Sequence, residues 1–215
     1  MKIDAVSRTQ CRAGEEICGA SAEIVRMGTA LCAVLADGFG SAARAAAVSS
    51  LAAGMLRAAP RTGETVRDVA LSLAQADPGS GKPLTAFTLL RVWEDGLACL
   101  SRFGTPRTVM LRRGKVFVPE RTASDTDAGR VESFRLTLRP GDVVAAVNGG
   151  LLAAGRGRLG EGLREDDLAS YLSNAGGAKT GAEKLAQLII AAGVSLDGGS
   201  PAHDLAAAVI TVSRG

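Results

Sequence analysis

The sequence has little of what several common classes of enzyme need. It contains a single histidine, His203, and only 3% of its 215 residues are aromatic. One histidine excludes any mechanism that needs two, and no serine lies in the Gly-x-Ser-x-Gly pattern of a nucleophile elbow. Cys11, Cys18, Cys32 and Cys99 form no paired Cys-x-x-Cys units, so a structural zinc site is not expected.

Long apolar runs and blocks of one charge are missing as well. No stretch approaches the ~18 apolar residues of a membrane-spanning helix, and the segment from Met1 to Ser7 lacks the apolar centre of a signal peptide. The 25 basic and 22 acidic residues are spread along the chain, and no basic block is interleaved with aromatic residues. We therefore expect a cytoplasmic protein whose partners include neither nucleic acid nor a membrane.

The chain is rich in apolar residues, which make up 47% of it. This content and the length predict one large domain over residues 1–215. Apolar runs and alternation predict strands at 2–9, 22–27 and 29–36. Helical periodicity and good helix formers predict helices at 41–59 and 64–75, and turn-forming residues at 77–83 predict a loop.

The middle third is a run of short strands separated by tight turns. They are predicted at 85–94, 97–102, 108–112, 115–118, 134–138 and 142–147. Helices at 164–173 and 181–192 follow, and a strand at 205–212 closes the chain. This order predicts an α+β fold, an αββα four-layer sandwich in which helices flank two central antiparallel β-sheets.

Asp37-Gly38-Phe39-Gly40 ends one apolar run and opens an alanine-rich segment. A carboxylate at the end of a strand, followed by glycines that let backbone come close to a ligand, is typical of a site for a cation or a phosphate. Two other interpretations exist. Residues 38–43 fit the dinucleotide pattern Gly-x-Gly-x-x-Ala, although Asp37 would repel a pyrophosphate. Alternatively, Asp37 simply caps the helix that follows.

Five segments in order resemble the metal-dependent type 2C (PPM) protein serine/threonine phosphatases, most closely the branch of bacterial stage II sporulation protein E (SpoIIE). They are CGAS (18–21), LADGFGSAARAA (35–46), RFGTPRTVMLRRGKV (102–116), LRPGDVVAAVNGG (138–150) and HDLAAAVITV (203–212). The family's versions look like SGDS, SDGMGSGxxA, NAGxPxxLLRxGxV, LxPGDxLxLxSDG and DDxTxVVI. The resemblance implies a pair of Mn²⁺ or Mg²⁺ ions at one edge of the sandwich, which activate water for attack on phosphoserine or phosphothreonine.

The positions that match the family's metal site have lost most of their acids. Asp37 matches the bridging, catalytic aspartate and Gly38 the glycine whose carbonyl is a ligand, but Ala20, Asn148 and His203 replace aspartates. Two divalent cations repel each other unless several carboxylates neutralise them, so a normal two-ion site is not expected. The alternatives are no ion, or one weakly held ion whose ligands are Asp37, the Gly38 carbonyl, the Asn148 amide oxygen and His203. A histidine ligand would favour Mn²⁺ or Zn²⁺ over Mg²⁺.

Other polar residues are weaker candidates. Glu15, Glu16 or Glu23 could replace the acid missing at position 20. Arg156 and Arg158 are the predicted substrate-binding residues, able to meet a phosphate or an acidic partner.

Two further features lie outside the predicted metal site. The polar stretch at 119–130 is expected to be a flap near the site or an idle loop. Asp142 matches a family position outside the metal site and is expected to be structural.

Two functions follow from this pattern. The favoured one is a phosphatase-fold regulator that is catalytically weak or silent and binds a bacterial signalling protein, by resemblance a phosphorylated anti-sigma antagonist. The alternative is an active phosphoserine/phosphothreonine protein phosphatase whose altered Mn or Zn site uses Asp37 and His203. The alanine-rich helix at 41–59 packs either on its own sheet or against a second copy in a homodimer.

Overall fold

The chain folds, in a computed structural model, into two antiparallel β-sheets with helices on their outer faces. The structure describes residues 1–38, 43, 46–47, 50–55, 58, 65–74, 85–105, 108–158 and 160–215. The predicted α+β class and αββα layering are thereby confirmed. The strands are β1 (Lys2–Gln10), β2 (Ala20–Met27), β3 (Ala30–Gly38), β4 (Thr85–Trp93), β5 (Leu97–Phe103), β6 (Val109–Arg112), β7 (Lys115–Val116), β8 (Arg121–Thr126), β9 (Gly129–Thr137), β10 (Asp142–Val147) and β11 (Leu205–Ser213).

Every strand pair within the two sheets is antiparallel. One sheet has the order β1-β11-β10-β6-β7 and the other the order β2-β3-β4-β5-β9-β8. The helices are α1 (Val66–Leu73), α2 (Gly149–Ala153), α3 (Glu165–Asn174) and α4 (Ala182–Leu196), together with a 3₁₀ turn at Gly177–Lys179 and a helical segment at 50–55.

Three apolar layers hold these elements together. Between the sheets, Leu31, Leu90 and Leu100 pack with Val144 and Ile210 of the opposite sheet. The second layer joins the helical segment at 50–55 and α1 to the six-stranded sheet, and the third joins α2, α3 and α4 to the five-stranded sheet. A strand that is covered on both faces buries odd-numbered and even-numbered residues alike. This explains why β4, β10 and β11 are buried at nearly every position without alternation.

Local signals account for the helix over 64–75. Thr65 caps it in a reciprocal box with Asp68, in which each side chain accepts a backbone N–H from the other residue. Val66, Val69 and Leu73 are buried on one face, as the periodicity predicts. The predicted helix is confirmed over Val66–Leu73. Much of the predicted helix at 41–59, and the loop at 77–83, lie outside the described residues.

The polar stretch at 119–130 is an ordered edge hairpin, so its interpretation as a flap or idle loop was wrong. β8 pairs with β9 from Arg121 opposite Phe134 to Thr126 opposite Gly129. Ion pairs from Arg121 to Glu132 and from Arg130 to Asp125 tie the two strands together. An exposed edge strand needs no apolar face, which is why hydrophobic alternation did not reveal it.

Among the described residues, no helix is both long enough and apolar enough to span a membrane.

Candidate functional site

Asp37 lies near the end of β3, in the interior of the six-stranded sheet. It pairs with Ala20 on β2 and with Ala86 on β4, antiparallel on both sides. A dinucleotide loop needs a parallel β-α-β unit, so that interpretation of residues 38–43 is wrong. The helix cap interpretation depends on residues 39–42, which lie outside the described part of the chain.

The floor of this edge is small and apolar. Ala20, Leu35, Ala146 and Ala206 form a separate buried cluster at this end of the two sheets. Ala20 is 2% exposed, and it places a methyl group where the family pattern has a carboxylate. One of the lost acids is therefore replaced by a side chain that can bind neither a cation nor a water.

Asn148 follows β10 directly and is fully buried. Its amide oxygen accepts hydrogen bonds from the backbone N–H of Leu151 at 3.2 Å and of Ala206 at 3.0 Å, which makes it the N-cap of α2. Its amide nitrogen donates to the carbonyl of Asp204 at 2.8 Å. Two backbone donors already use the amide oxygen, and this arrangement opposes its expected role as a metal ligand.

The Asp37 carboxylate meets neutral donors at this edge. Its Oδ2 accepts the Gly149 N–H at 3.3 Å, and the Asn148 side chain also donates to it. Burial raises the pKa of Asp37, and the charge of Asp204 adds to that effect. The two hydrogen bonds and the charge of His203 act in the opposite direction without reversing the shift. Asp37 is thus a half-buried acid whose charged form is poorly compensated.

His203 and Asp204 are neighbours just before β11, but His203 acts on Asp37 through its charge whereas Asp204 forms hydrogen bonds with another loop. His203 is exposed and near enough to Asp37 to favour its charged form. Asp204 is half-buried and anchors the loop between β1 and β2: its two oxygens accept the N–H groups of Arg12 and Gly19, each at 2.9 Å. We did not predict this anchoring role, although Gly19 carries a signal for it. A Cβ there would lie 2.6 Å from Asp204 Oδ2, so only glycine fits.

None of the three candidate replacement acids joins Asp37 in a metal-binding group. Glu15 forms an ion pair with Arg12, and Glu23 accepts a hydrogen bond from Ser50 Oγ at 3.5 Å. Glu16 is exposed, and its backbone carbonyl faces the Cys11 thiol. Within the described ranges, no three or more His, Cys, Asp or Glu side chains are grouped so that they could hold a metal ion.

Arg156 and Arg158 lie in the loop after α2, and both are exposed. The Arg158 guanidinium rests against the turn that follows α4, where a Cβ on Gly198 would clash with Nη1. Neither arginine is among the groups that act on the Asp37 carboxylate in the described structure. The structure therefore brings together Asp37, Asn148 and His203 of the predicted site, with the Gly38 backbone beside them, and leaves the two arginines apart.

The donor set at this edge does not fit a two-ion centre. Among the described residues it offers one uncommitted carboxylate, Asp37, because Asn148 binds backbone N–H groups and Asp204 binds the β1–β2 loop. Divalent ions of this kind take six or more oxygen ligands, several of them charged. Among the described residues, Asn148 and Asp204 are engaged in hydrogen bonds at this edge, and the charge of Asp37 is only weakly compensated.

The fold is similar to that of solved PPM-type phosphatases. The phosphatase domain of the cell fate determinant SpoIIE from Bacillus subtilis matches with a TM-score of 0.71 and 14% identity, over 100% of this chain and 93% of that one. RsbX in complex with magnesium matches with a TM-score of 0.69 and 18% identity, over 98% and 96%. The catalytic domain of the serine/threonine phosphatase PstP in complex with 2 manganese ions matches with a TM-score of 0.63 and 15% identity, over 99% of each.

At these identities the likeness establishes the fold, which is the PPM phosphatase sandwich. A family model for stage II sporulation protein E (SpoIIE) matches residues 28–213, which is most of the chain. The chain therefore belongs to the SpoIIE family. No curated protein sequence matches it.

Proposed function

We propose that residues 1–215 form a single SpoIIE-family domain that is catalytically weak or silent and acts by binding a signalling protein, of the phosphorylated anti-sigma antagonist type. The observation that carries this proposal is the state of the Asp37 edge. Asp37 is the one carboxylate left at the four matched acidic positions, and its hydrogen-bond partners are the Gly149 N–H and the Asn148 amide.

Charge supports the same conclusion. Two divalent ions would bring four positive charges into a half-buried edge where Asp37 supplies one negative charge. Asp204 is the other acid whose charge reaches Asp37, but both of its oxygens accept backbone donors from the β1–β2 loop. Turning Asp204 toward a metal would release Arg12 and Gly19 and open that loop.

The decisive experiment is hydrolysis of p-nitrophenyl phosphate and of a phosphoserine peptide, with Mn²⁺ or Mg²⁺ added up to millimolar concentration. We expect no metal-dependent turnover above that of an Asp37→Asn variant, which removes the remaining charge while keeping the shape. Turnover that requires manganese and disappears in Asp37→Asn would overturn the proposal.

A second candidate is an active protein phosphatase with one Mn²⁺ or Zn²⁺ held by Asp37 and His203. The observation in its favour is that His203 lies within charge reach of Asp37, at the same edge. It requires bound metal in the purified protein and loss of that metal in His203→Ala. Calorimetry that detects no binding of either ion up to millimolar concentration would remove it.

Partner binding has its own test. If Arg156 and Arg158 contact an acidic or phosphorylated partner, the phosphoserine peptide should bind without being hydrolysed, and Arg156→Ala with Arg158→Ala should weaken that binding. A matched control is Arg130→Ala, which removes an exposed arginine paired with Asp125 on the β8–β9 hairpin. Equal loss in both variants would mean that the effect is general charge and not a partner site.

A further inference from the structure

The loop between β1 and β2 contains two cysteines, Cys11 and Cys18, and the backbone beside each of them is bound to the Asp204 carboxylate. The Cys11 side chain interacts with that of Cys18, and this interaction helps to raise the pKa of Cys18. Cys18 Sγ also lies 3.7 Å from Asp204 Oδ1, and Cys11 Sγ lies 3.9 Å from the carbonyl of Glu16. Both residues are half-buried, and both are free thiols.

The backbone of this loop is fixed on both sides of the pair. The N–H groups of Arg12 and Gly19 both bind the Asp204 carboxylate, and the Ala13 N–H donates to the carbonyl of Pro201 at 2.8 Å. Residues beside each cysteine are therefore tied to the same short segment before β11. The two cysteines therefore lie in one loop whose backbone is anchored beside each of them, and this anchoring favours a disulfide within the chain.

The other two cysteines differ from this pair. Cys32 is fully buried in β3, where it accepts a hydrogen bond from Arg91 Nε at 3.5 Å. Cys99 lies on β5, opposite Arg135 of β9. Cys32 and Cys99 thus serve as internal references in the same chain.

We propose that Cys11 and Cys18 form a reversible dithiol–disulfide site, oxidised by hydrogen peroxide or another hydroperoxide and restored by a thiol reductant. Intramolecular pairs of this kind in reducing compartments are usually transient and report on oxidants. The proposal concerns this loop alone and does not depend on whether the Asp37 edge is catalytic.

The chemistry balances in two steps. Cys11 sulfur attacks one peroxide oxygen, the O–O bond breaks, and water leaves, so that Cys11 becomes a sulfenic acid. Cys18 sulfur then attacks Cys11 sulfur and displaces the hydroxyl group, which leaves as a second water with the proton from Cys18. Two thiols lose two electrons and two protons, and one peroxide is reduced to two waters. A thiol reductant reverses this by thiol–disulfide exchange, becoming oxidised itself.

The surroundings assign the two roles. Burial, the contact with Cys11 and the charge of Asp204 together raise the pKa of Cys18 to about 12, so Cys18 stays protonated and is poorly suited to attack peroxide first. Asp204 Oδ1 faces Cys18 Sγ and can pass its proton on to the departing hydroxyl group when the sulfur attacks. Cys11 is therefore the first sulfur to be oxidised and Cys18 the resolving thiol.

Asp204 links this site to the candidate functional edge. The same residue that faces the Cys18 thiol accepts the Asn148 amide through its backbone carbonyl, and Asn148 faces Asp37. A disulfide removes the thiol donor from Asp204 and adds a covalent tie across the loop. Oxidation thus alters the supports of the edge without touching Asp37.

The test is peptide mapping of the intact protein after peroxide treatment and alkylation of the remaining thiols. Trypsin cleaves after Arg8, Arg12 and Arg26, so the two cysteines fall in different peptides, 9–12 and 13–26. We expect loss of both alkylated peptides and appearance of one linked species, which is two hydrogens lighter than the sum of the two peptides with free thiols and which dithiothreitol abolishes. Cys99→Ser should leave this result unchanged, and Cys11→Ser should abolish it.

Two results would overturn the proposal. One is recovery of Cys11 and Cys18 as separately alkylated peptides after treatment with peroxide. The other is a linked species that joins two copies of the chain, or that joins either cysteine to Cys32 or Cys99. The measurement on the unsubstituted protein decides between these results without any variant having to fold.

Discussion

A carboxylate lies at each end of strand β10, and the two differ in the hydrogen-bond donors that surround them. At its start, Asp142 is fully buried and receives two arginine nitrogens, Arg112 Nε at 3.0 Å and Nη2 at 2.7 Å, together with the Arg139 N–H at 2.9 Å. Just past its end, Asp37 receives one long hydrogen bond from a backbone N–H and one from a neutral amide.

This difference distinguishes a structural residue from a candidate site residue. The charge of Asp142 is neutralised by Arg112 of the same chain, as expected of a residue that fixes a turn and a strand. The Asp37 end keeps an acid in a place where burial disfavours its charge, and nearby side chains compensate for that only weakly. In this family member Asp37 persists, while the aspartates that the family pattern has at positions 20, 148 and 203 are replaced.

The largest effect is expected from restoring those carboxylates. Ala20→Asp, Asn148→Asp and His203→Asp together should raise affinity for Mn²⁺ by about 10²-fold or more, because ligand charge sets the affinity of such sites. Without metal, this variant should be less stable, since a carboxylate at position 148 would face the Asp204 carbonyl without a donor. Calorimetry and melting curves with and without manganese measure both effects. Unchanged metal affinity would mean that the backbone of this edge no longer fits ions.

Neutralising Asp142, which is fully buried, and Asp37, which is half-buried, should give opposite results. Asp142→Asn removes the partner of Arg112 and should lower the free energy of unfolding by about 2–4 kcal/mol. Asp37→Asn removes a charge that burial disfavours and should leave stability at pH 7 equal or higher. Urea unfolding of both variants measures the two changes in the free energy of unfolding. Because asparagine has nearly the same shape as aspartate, the comparison reports the loss of charge. A large loss in Asp37→Asn would contradict our description of that edge.

Asn148→Ala tests whether Asn148 is a structural cap. It leaves the Leu151 and Ala206 N–H groups without the acceptor they now have, and it should lower the free energy of unfolding by about 1–3 kcal/mol. Asn148→Ser, which keeps a capping oxygen, should recover part of the loss. If both variants are as stable as the parent, the amide oxygen is free for another role.

Glu132 is a third carboxylate to compare with Asp142 and Asp37, because it forms ion pairs with two arginines and its contribution to stability should depend on pH. Burial alone would raise its pKa, but ion pairs with Arg102 and Arg121 outweigh burial, and the pKa lies below its ordinary value of 4.5. The charged form is favoured by folding, so the stabilisation is present above 4.5 and is lost as pH falls through the folded pKa.

Glu132→Gln should therefore lower the free energy of unfolding by about 1–2 kcal/mol at neutral pH. The difference in the free energy of unfolding between the variant and the parent should disappear as the pH falls below the folded pKa of Glu132. Denaturant titrations at several pH values measure it. A gap that stays constant with pH would mean that lost packing, and not lost charge, causes the effect.

Much of the fold could be predicted because its signals are local and repeated. The capped helix α1, the turn at Asp95 and Gly96, and the mainly apolar strands β10 and β11 each follow from a pattern visible in a short window. Strand β8 was missed because it is exposed and polar, and α2 because five residues starting with two glycines carry no periodicity.

The candidate site was harder to predict, because it depends on which atom of a residue faces which partner. The family resemblance placed Asn148 correctly at the edge, yet only the structure tells the amide oxygen from the amide nitrogen. The same holds for Asp204, whose loop-anchoring contacts come from residues more than a hundred positions away. Long-range pairing of this kind leaves no local trace.

The outer strand β8 has a consequence for how the protein behaves in concentrated solution. A six-stranded sheet ends in a row of unpaired backbone groups that another chain could extend. On β8 that row is bordered by the exposed side chains of Arg121 and Asp125. They form ion pairs with Glu132 and Arg130 within the hairpin. A second strand approaching this border would have to strip water from those charges, so this side of the molecule resists fibre-like growth.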